Sequence, residues 1–486
     1  MRYGTDAALM LGLLWTGVGL AAGETSTSLE EIEARGQAPI EVLAPVAAPT
    51  VLLRGGTVLT AAGDRLEDGW VLMRDGLIAD LGTGEPPVVD DAKVLDVTDH
   101  YVTPGLIDAH SHLGLFSSPG SIAHGDGNEA TAPVTPGVWG EHSMWPQDPG
   151  LARALAGGVT TFQTLPGSTN LVGGRGVVLH MVPARGARAM RFPGAPETLK
   201  MACGENPKRT YGERGGPSTR MGNVEGNRSA FLEARAFLDE WDAYEEEHAE
   251  WVEDNAAHDA ALTKKEKRDH PDPGDEPEPP DRDLGKETLA GVLRGEILPQ
   301  VHCYQADDML SMLQVADEMG FRIRAFHHAL ESYKIRDILA EREVASCTWA
   351  DWWGFKLEAF DGIPHNAALL TEAGARVTIK SDSSIGIQRL NQEAAKARRS
   401  GLEAGLDVSE DDALRWITLH PAWVLGIDDQ VGSLEREKRA DVVVWDAHPF
   451  SVYAKARWVF VDGALRWDTE RPQVWSDFRA GWEVTP

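Results

Sequence analysis

The sequence predicts an α/β fold: a (β/α)8 TIM barrel with a small β-sandwich domain formed by both chain ends. Three observations predict it. Between Tyr101 and Leu425, short apolar strand segments alternate with amphipathic helical ones, an order that gives parallel strands joined by right-handed crossovers. A β-rich stretch at each end carries a matching hairpin signal, Asp75-Gly76 and Asp462-Gly463. The 486 residues, 42% hydrophobic and 25% charged, are ordinary globular composition and suffice for one barrel with a small second domain.

In chain order, Ala7 to Leu20 form an apolar run after Arg2, followed by Ala21, Ala22 and Gly23. That pattern reads as a signal peptide over 1–23 and implies an exported protein, periplasmic or secreted. The alternative is a cytoplasmic protein with an apolar start. The run is short for a bilayer span and glycines interrupt it, so no stable membrane insertion is expected. Residues 24–50 are polar and Pro/Ala-rich and read as a linker. Residues 51–103, with VLLRGGTVLT, GWVLMRDGLIADLG and AKVLDV, give the first part of the β-sandwich; 428–475, with ADVVVWD and ARWVFVDGALRWD, give the second.

The barrel is expected over 104–427. Its strand segments end in VTPGLIDAH, GVTTFQTL, TLKMAC, LPQVHCY, FRIRAFHH, VASCTW and RVTIKSD. Helical segments such as PGLARALAG, DDMLSMLQVADEMG and NAALLTEAG separate them. An acidic insertion, 227–283, breaks the alternation. It starts as a charged helix over Asn227 to Lys267, where Trp241, Tyr244, His248 and Trp251 share one face, and ends in the Pro-rich PDPGDEPEPPDRD. It reads as a solvated helical excursion, with a lid or a dimer contact as alternatives.

The formal net charge of −30 argues against nucleic acid or an anionic membrane as partner, because both need clustered cations. Only Cys203, Cys303 and Cys347 are present, which excludes a disulfide framework and a Cys-rich zinc module. Cys203 and Cys303 are expected to serve as small buried apolar residues. Histidine, with 15 copies, is the remaining transition-metal ligand.

His110-Ser111-His112 ends VTPGLIDAHSH. In a strand, residues i and i+2 share a face, so both imidazoles point at one place at the mouth of the barrel. His302, the pair His327 and His328, and Asp382 each close a later strand segment. Barrel active sites are assembled from such positions.

With these residues in place, the chain resembles the amidohydrolase superfamily and, within it, the imidazolonepropionase-like group. The motifs that carry the resemblance are VTPGLIDAHSHLG, AGGVTTFQTLPGS, KMACGENPKR, VHCYQADDML, HHALESYKI, IKSDSS and VGSLEREKRADVVVWDAHPF with FVDGALRW. The resemblance implies that His110 and His112 form the first metal pair and His302 and a sixth-strand histidine the second, with His328 preferred to His327. It implies that Asp382 binds metal and takes a proton from the attacking water. It implies one or two divalent ions, Zn²⁺ above all, with a carboxylated Lys200 completing the site and Glu205 as the rival ligand. The chain departs from the family pattern in SDS after the last strand, in HPA at His420 to Ala422, and in the insertion.

The Gly-rich PGSTNLVGGRG, Pro166 to Gly176, lacks the ending of a phosphate loop. Its Asn170 and Arg175 are candidates for substrate contact. Tyr211, Glu331 and Tyr333, with Arg209 and Lys334, flank ligand motifs and are further candidates. The expected function is hydrolysis of a C–N bond in an amide, cyclic amide or peptide by a metal-activated water, with Asp382 as general base. The alternatives are a dipeptidase or carboxypeptidase, an isomerase or deaminase on the same barrel, and a non-catalytic metal-binding scaffold. The expected partner is a small-molecule or short-peptide substrate; homo-oligomerisation stays open.

Overall fold

The computed structural model describes residues 28, 29, 31, 34, 48–352 and 354–471. The leader, most of the linker and the last residues of the second β part lie outside them. The chain divides into two compact units, Met1–Ala38 with Glu240–Pro280, and Pro39–Asp239 with Asp281–Pro486.

The larger unit contains two sheets. Its strands are β1 (Val51–Leu59), β2 (Arg65–Arg74), β3 (Leu77–Thr83), β4 (Lys93–Asp96), β5 (Tyr101–Pro104), β6 (Leu106–Ser111), β7 (Val159–Thr164) and β8 (Val172–His180). They continue with β9 (Glu197–Ala202), β10 (Ile297–Cys303), β11 (Ala325–His328), β12 (Ala345–Thr348), β13 (Val377–Ile379), β14 (Val442–Trp445), β15 (Ala456–Val461) and β16 (Ala464–Asp468).

Both chain ends build one eight-stranded sheet in the order β16-β15-β14-β5-β1-β2-β3, with β4 also on β1. The two anticipated hairpins are there. Asp75 and Gly76 have φ of 53° and 78°, and Asp462 and Gly463 have 51° and 70°. Positive φ at both central residues is what a two-residue turn needs to match strand twist. Val51, Leu53, Val71, Val442, Val444 and Phe460 pack in the core of this sheet.

The second sheet runs β6 through β13 in sequence order. Its ends meet through Trp416 and Ile417: Ile107 N donates to Ile417 O and Ile379 N to Trp416 O, both at 2.9 Å. Beyond them Asp382 N donates to His110 O at 3.0 Å. The barrel is thus nearly closed, with one departure from uniform β/α alternation. Strand β8 is antiparallel to both β7 and β9. This strand contains the glycine-rich stretch that reads as a loop in sequence. Glycine is needed there because the strand packs closely on its neighbours: a Cβ on Gly174 would lie 2.4 Å from Val138 O, and one on Gly176 2.6 Å from Thr198 Oγ1.

Cys203 and Cys303 form a disulfide with Cα atoms 5.3 Å apart, which corrects the expectation of two separate buried thiols. The register explains it. Strand β10 pairs in parallel with β9 so that His302 faces Ala202, and the next residue on each strand is the cysteine. The two are 100 residues apart in sequence, so their proximity is a product of barrel topology. Cys347 is free and buried.

His180, at the end of β8, joins the barrel to the terminal sheet. Its Nε2 lies 2.9 Å from Asp441 Oδ2 and its Nδ1 3.4 Å from Asp462 Oδ2. Arg439 pairs with Asp462 through two hydrogen bonds, at 2.7 and 2.9 Å. Burial disfavours the imidazolium, but the two carboxylates outweigh it and raise the His180 pKa above its ordinary 6.5. A raised folded-state pKa contributes stability that is full below pH 6.5 and is lost as pH rises through the folded value. Thermal unfolding across that range is expected to show this loss in the wild type and a flatter profile in His180→Gln; equal slopes would remove His180 as the cause.

The smaller unit contains the distal part of a 41-residue helix, Arg220–Ala260, which starts earlier than the sequence pattern implies. A short helix, Lys264–Asp269, follows, opened by a Thr263/Glu266 capping box. Trp241, Tyr244, His248 and Trp251 do share one face, with successive ring centroids 5.6–6.1 Å apart. The acidic Pro-rich segment folds back on that face: His248 Nε2 lies 2.9 Å from Glu276 Oε1, and Trp251 Nε1 donates to Gly274 O at 3.0 Å. Among the described residues, no helix is long and apolar enough to cross a membrane.

Candidate metal centre

His110 and His112 emerge from the end of β6, on one face as strand alternation requires. Asp382 follows β13, which closes against β6. His112 Nε2 lies 3.1 Å and His110 Nε2 3.5 Å from Asp382 Oδ1. The three ligand atoms fall within 4.8 Å of one another.

Hydrogen bonds behind the rings set which nitrogen faces the centre. His112 Nδ1 donates to Leu165 O at 2.7 Å, which leaves its Nε2 lone pair on the Asp382 side. Gln300 Oε1 accepts from His327 Nε2 at 2.6 Å. His327 Nδ1 is then an acceptor, and His110 Nδ1 donates to it at 2.8 Å. The His110 Nε2 lone pair is left for a ligand. His327 therefore supports His110 from behind, while its neighbour lies on the other side of the centre. His328 Nδ1 is 3.6 Å from Asp382 Oδ2, and its ring is 4.2 Å from that of His302. Successive strand residues would normally face opposite ways; His328 departs from the strand with φ of 71° and Asp382 with φ of 51°. Such left-handed non-glycine backbone costs on the order of 1–3 kcal/mol each and persists where the surroundings hold it.

Lys200 and Glu205 separate clearly. Lys200, on β9, is 1% exposed and its Nζ has no hydrogen-bond partner. Burial, with Lys380 adding to it against the pull of Asp382, brings its pKa down to about 7. Glu205 instead opens the helix Glu205–Tyr211 and pairs with Lys356 at 3.3 Å.

Lys380 belongs to the site although its position drew no attention in the sequence. It follows β13 directly, two residues before Asp382. Its Nζ lies 2.8 Å from His328 Nδ1, 3.2 Å from Asp382 Oδ2 and 3.6 Å from the centre of the Trp349 ring. Burial lowers its pKa to about 8. Burial alone would raise the Asp382 pKa, but Lys380, the His112 hydrogen bond and Lys200 hold it far below the usual carboxylate range. Burial, reinforced by the lysines, pushes His110, His302, His327 and His328 well below 6.5, so these rings are neutral at pH 7. Two more residues outside the sequence-derived set stand here. Asn206 Nδ2 lies 3.3 Å from His302 Nε2, and Asp108 accepts from His110 N at 3.0 Å and from Ser381 Oγ.

The donor set fits a divalent transition metal. His302 Nδ1, His328 Nε2 and Lys200 Nζ are buried without hydrogen-bond partners. Leaving such groups unpaired costs about 1–3 kcal/mol each, and a cation is the complement that the two imidazole nitrogens lack.

Four of the five substrate candidates hydrogen-bond to other parts of the chain. Asn170 donates to Glu129 O, Ala132 O and Thr135 Oγ1 at 2.7–3.0 Å, pinning the 129–135 loop. Arg175 donates to Thr288 Oγ1 at 2.8 Å and lies over the Trp139 ring. Tyr211 is buried at the end of its short helix. Glu331 accepts from Ala306 N at 3.0 Å, and Tyr333 donates to Asp361 O at 3.2 Å. The bonds described hold loops in place, and none of them reaches His110, His112 or Asp382.

Imidazoles and a carboxylate converging at the carboxyl ends of barrel strands define a metal-ligating (β/α)-barrel protein. The pattern of the amidohydrolase family matches residues 360–468. The chain is 33% identical to an amidohydrolase from Thermotoga maritima MSB8, whose crystal structure superposes with a TM-score of 0.72 over 86% of this chain and 100% of that one. It is 32% identical over 417 residues to amidohydrolase tasK of Hapsidospora irregularis, covering 82% of this chain but 40% of that much longer relative. A 51-residue stretch is 45% identical to imidazolonepropionase of Streptococcus sanguinis strain SK36, 10% of this chain and 12% of that one. The chain belongs to the amidohydrolase family.

Proposed function

We propose that the protein is a metal-dependent hydrolase that cleaves a C–N bond in an amide, cyclic amide or peptide, with Asp382 as general base. The observation that carries this is the convergence of His110, His112 and Asp382 beside the buried, neutral His302 and His328. Those five residues would hold a divalent ion, Zn²⁺ by donor chemistry, with Lys200 joining them as its carbamate for a second. Bound there, the ion supplies Lewis acidity, making water a better nucleophile and the scissile carbon a better electrophile.

The chain's own groups handle the protons. The Asp382 carboxylate, kept ionised by Lys380 and His112, takes one proton from the attacking water as its oxygen adds to the carbonyl carbon. It returns that proton to the leaving nitrogen as the C–N bond breaks, giving a carboxylic acid and an amine. Tyr304 and Trp349 pack on His328 and keep bulk water from that side.

The test is metal analysis joined to a hydrolysis screen of dipeptides, N-acyl amino acids and small lactams. Expected are one or two transition-metal ions per chain and turnover that disappears on chelation and returns with Zn²⁺. Protein that holds no metal after growth in zinc-replete medium would sink the reading. We propose further that the protein is exported, with the Cys203–Cys303 bond as support, because disulfides persist chiefly in oxidising compartments.

A further inference from the structure

We infer that the loop after β12 forms an apolar subsite, seating an aromatic or large aliphatic group of the substrate beside the metal-ligand cluster; this rests on the hydrolase reading above. The loop leaves the carboxyl end of a barrel strand, where barrel enzymes recognise substrate. It starts with Trp349, whose ring centre is 4.7 Å from that of His328. Tyr304, from the end of β10, stacks on His328 at 4.8 Å and 9°. Trp352 stacks on Trp349 at 5.3 Å and 20°, and Phe355 stands edge-on to Trp349 and to Tyr304, each at 6.2 Å. The rings form a continuous path from a ligand histidine to solvent.

The inner end of the path is buried and the outer end is not. Trp349 and Tyr304 are 5% and 6% exposed, whereas Trp352 and Phe355 are 41% and 57% exposed. Leu357 and Phe360, further along the same loop, are exposed as well. Exposed rings joined to the ligand cluster through buried ones, rather than scattered singly, are the kind of surface that ligand sites use. The charge nearby does not call for an anionic group. Lys356 lies 3.9 Å over the Tyr304 ring but is already paired with Glu358 at 2.9 Å and Glu205 at 3.3 Å. A second copy of the chain is the other conceivable occupant. A stable protein interface engages about 20–30 residues a side, far more than this loop presents, and the path runs directly to His328.

The experiment uses the metal-loaded full chain and matched amides. The acyl group varies from acetyl to phenylacetyl and hexanoyl, and the amine side from glycine to leucine and phenylalanine. On one side of the bond, the apolar member is expected to exceed its small counterpart in kcat/KM by about tenfold or more. Trp352→Ala and Phe355→Ala, at exposed positions, are expected to bring that ratio towards one, mostly through KM. Turnover without a preference, or a preference that both variants retain, overturns the subsite. Variants that dissociate a dimer in sedimentation yet keep the preference also overturn it and make the face a subunit contact. If the wider screen of dipeptides, N-acyl amino acids and lactams also shows no cleavage, the hydrolase reading fails, and calorimetric titration with N-phenylacetylglycine amide still decides the subsite. Saturable binding that weakens in both variants supports it; no binding to the wild type overturns it.

Discussion

Asp382→Asn is expected to lower kcat by about 10²–10⁴-fold, the range for removing a positioned general base, while the protein still folds and still takes up metal. Asparagine keeps the size of the side chain and one oxygen facing His110 and His112, so a donor atom remains where the ion would sit. What is lost is the charge. Asp382 stands 3.2 Å from Lys380 with its Oδ2 and faces His110 and His112 with its Oδ1, so one carboxylate serves both the cation and the ligand pair. An amide neither accepts the proton of water nor balances Lys380. Metal content by mass spectrometry and steady-state rates on the best substrate read the two effects separately. Turnover near the wild-type value would remove Asp382 as the base.

Lys200→Met is expected to act in opposite directions on stability and on metal. The side chain is buried with an amine that finds no partner, so the metal-free protein carries an uncompensated polar group on β9. An apolar side chain relieves it, and a buried polar group left unsatisfied costs about 1–3 kcal/mol. The metal-free variant should therefore unfold at a higher temperature than the metal-free wild type. Metal-loaded, it should bind fewer ions and lose most of its turnover. A variant that keeps the wild-type metal count would hand the ligand role away from Lys200; Glu205, tied to Lys356, would first have to leave that pair.

The parts of the site legible in the sequence are those whose position along a strand fixes their direction. His110 and His112 share a face by alternation, and Asp382 ends an apolar run. Lys380 lies beyond the end of β13 and precedes an Asp382 whose φ is 51°, so alternation does not give its direction. The distinction between His327 and His328 lay outside what alternation can give. It depends on a positive φ at His328 and on Gln300, a residue of β10 that reaches across to His327. Strand β8 was hidden for a related reason. Glycines signal turns in a single sequence, but here they let a strand pass within close range of Val138 and Thr198. On the same stretch, Asn170 and Arg175 bond to neighbours far away in sequence, partners that a single sequence does not reveal. The Cys203–Cys303 bond depends on register between strands separated by the whole insertion.

That bond has a topological consequence. It closes a covalent ring running from Cys203 to Cys303, and the acidic Pro-rich segment 271–283 lies within it. A protease that nicks the chain there produces two pieces that stay joined, migrating as one band until a reductant is added. The fragment with His110 and His112 and the fragment with His302, His328 and Asp382 would remain tethered through the cut.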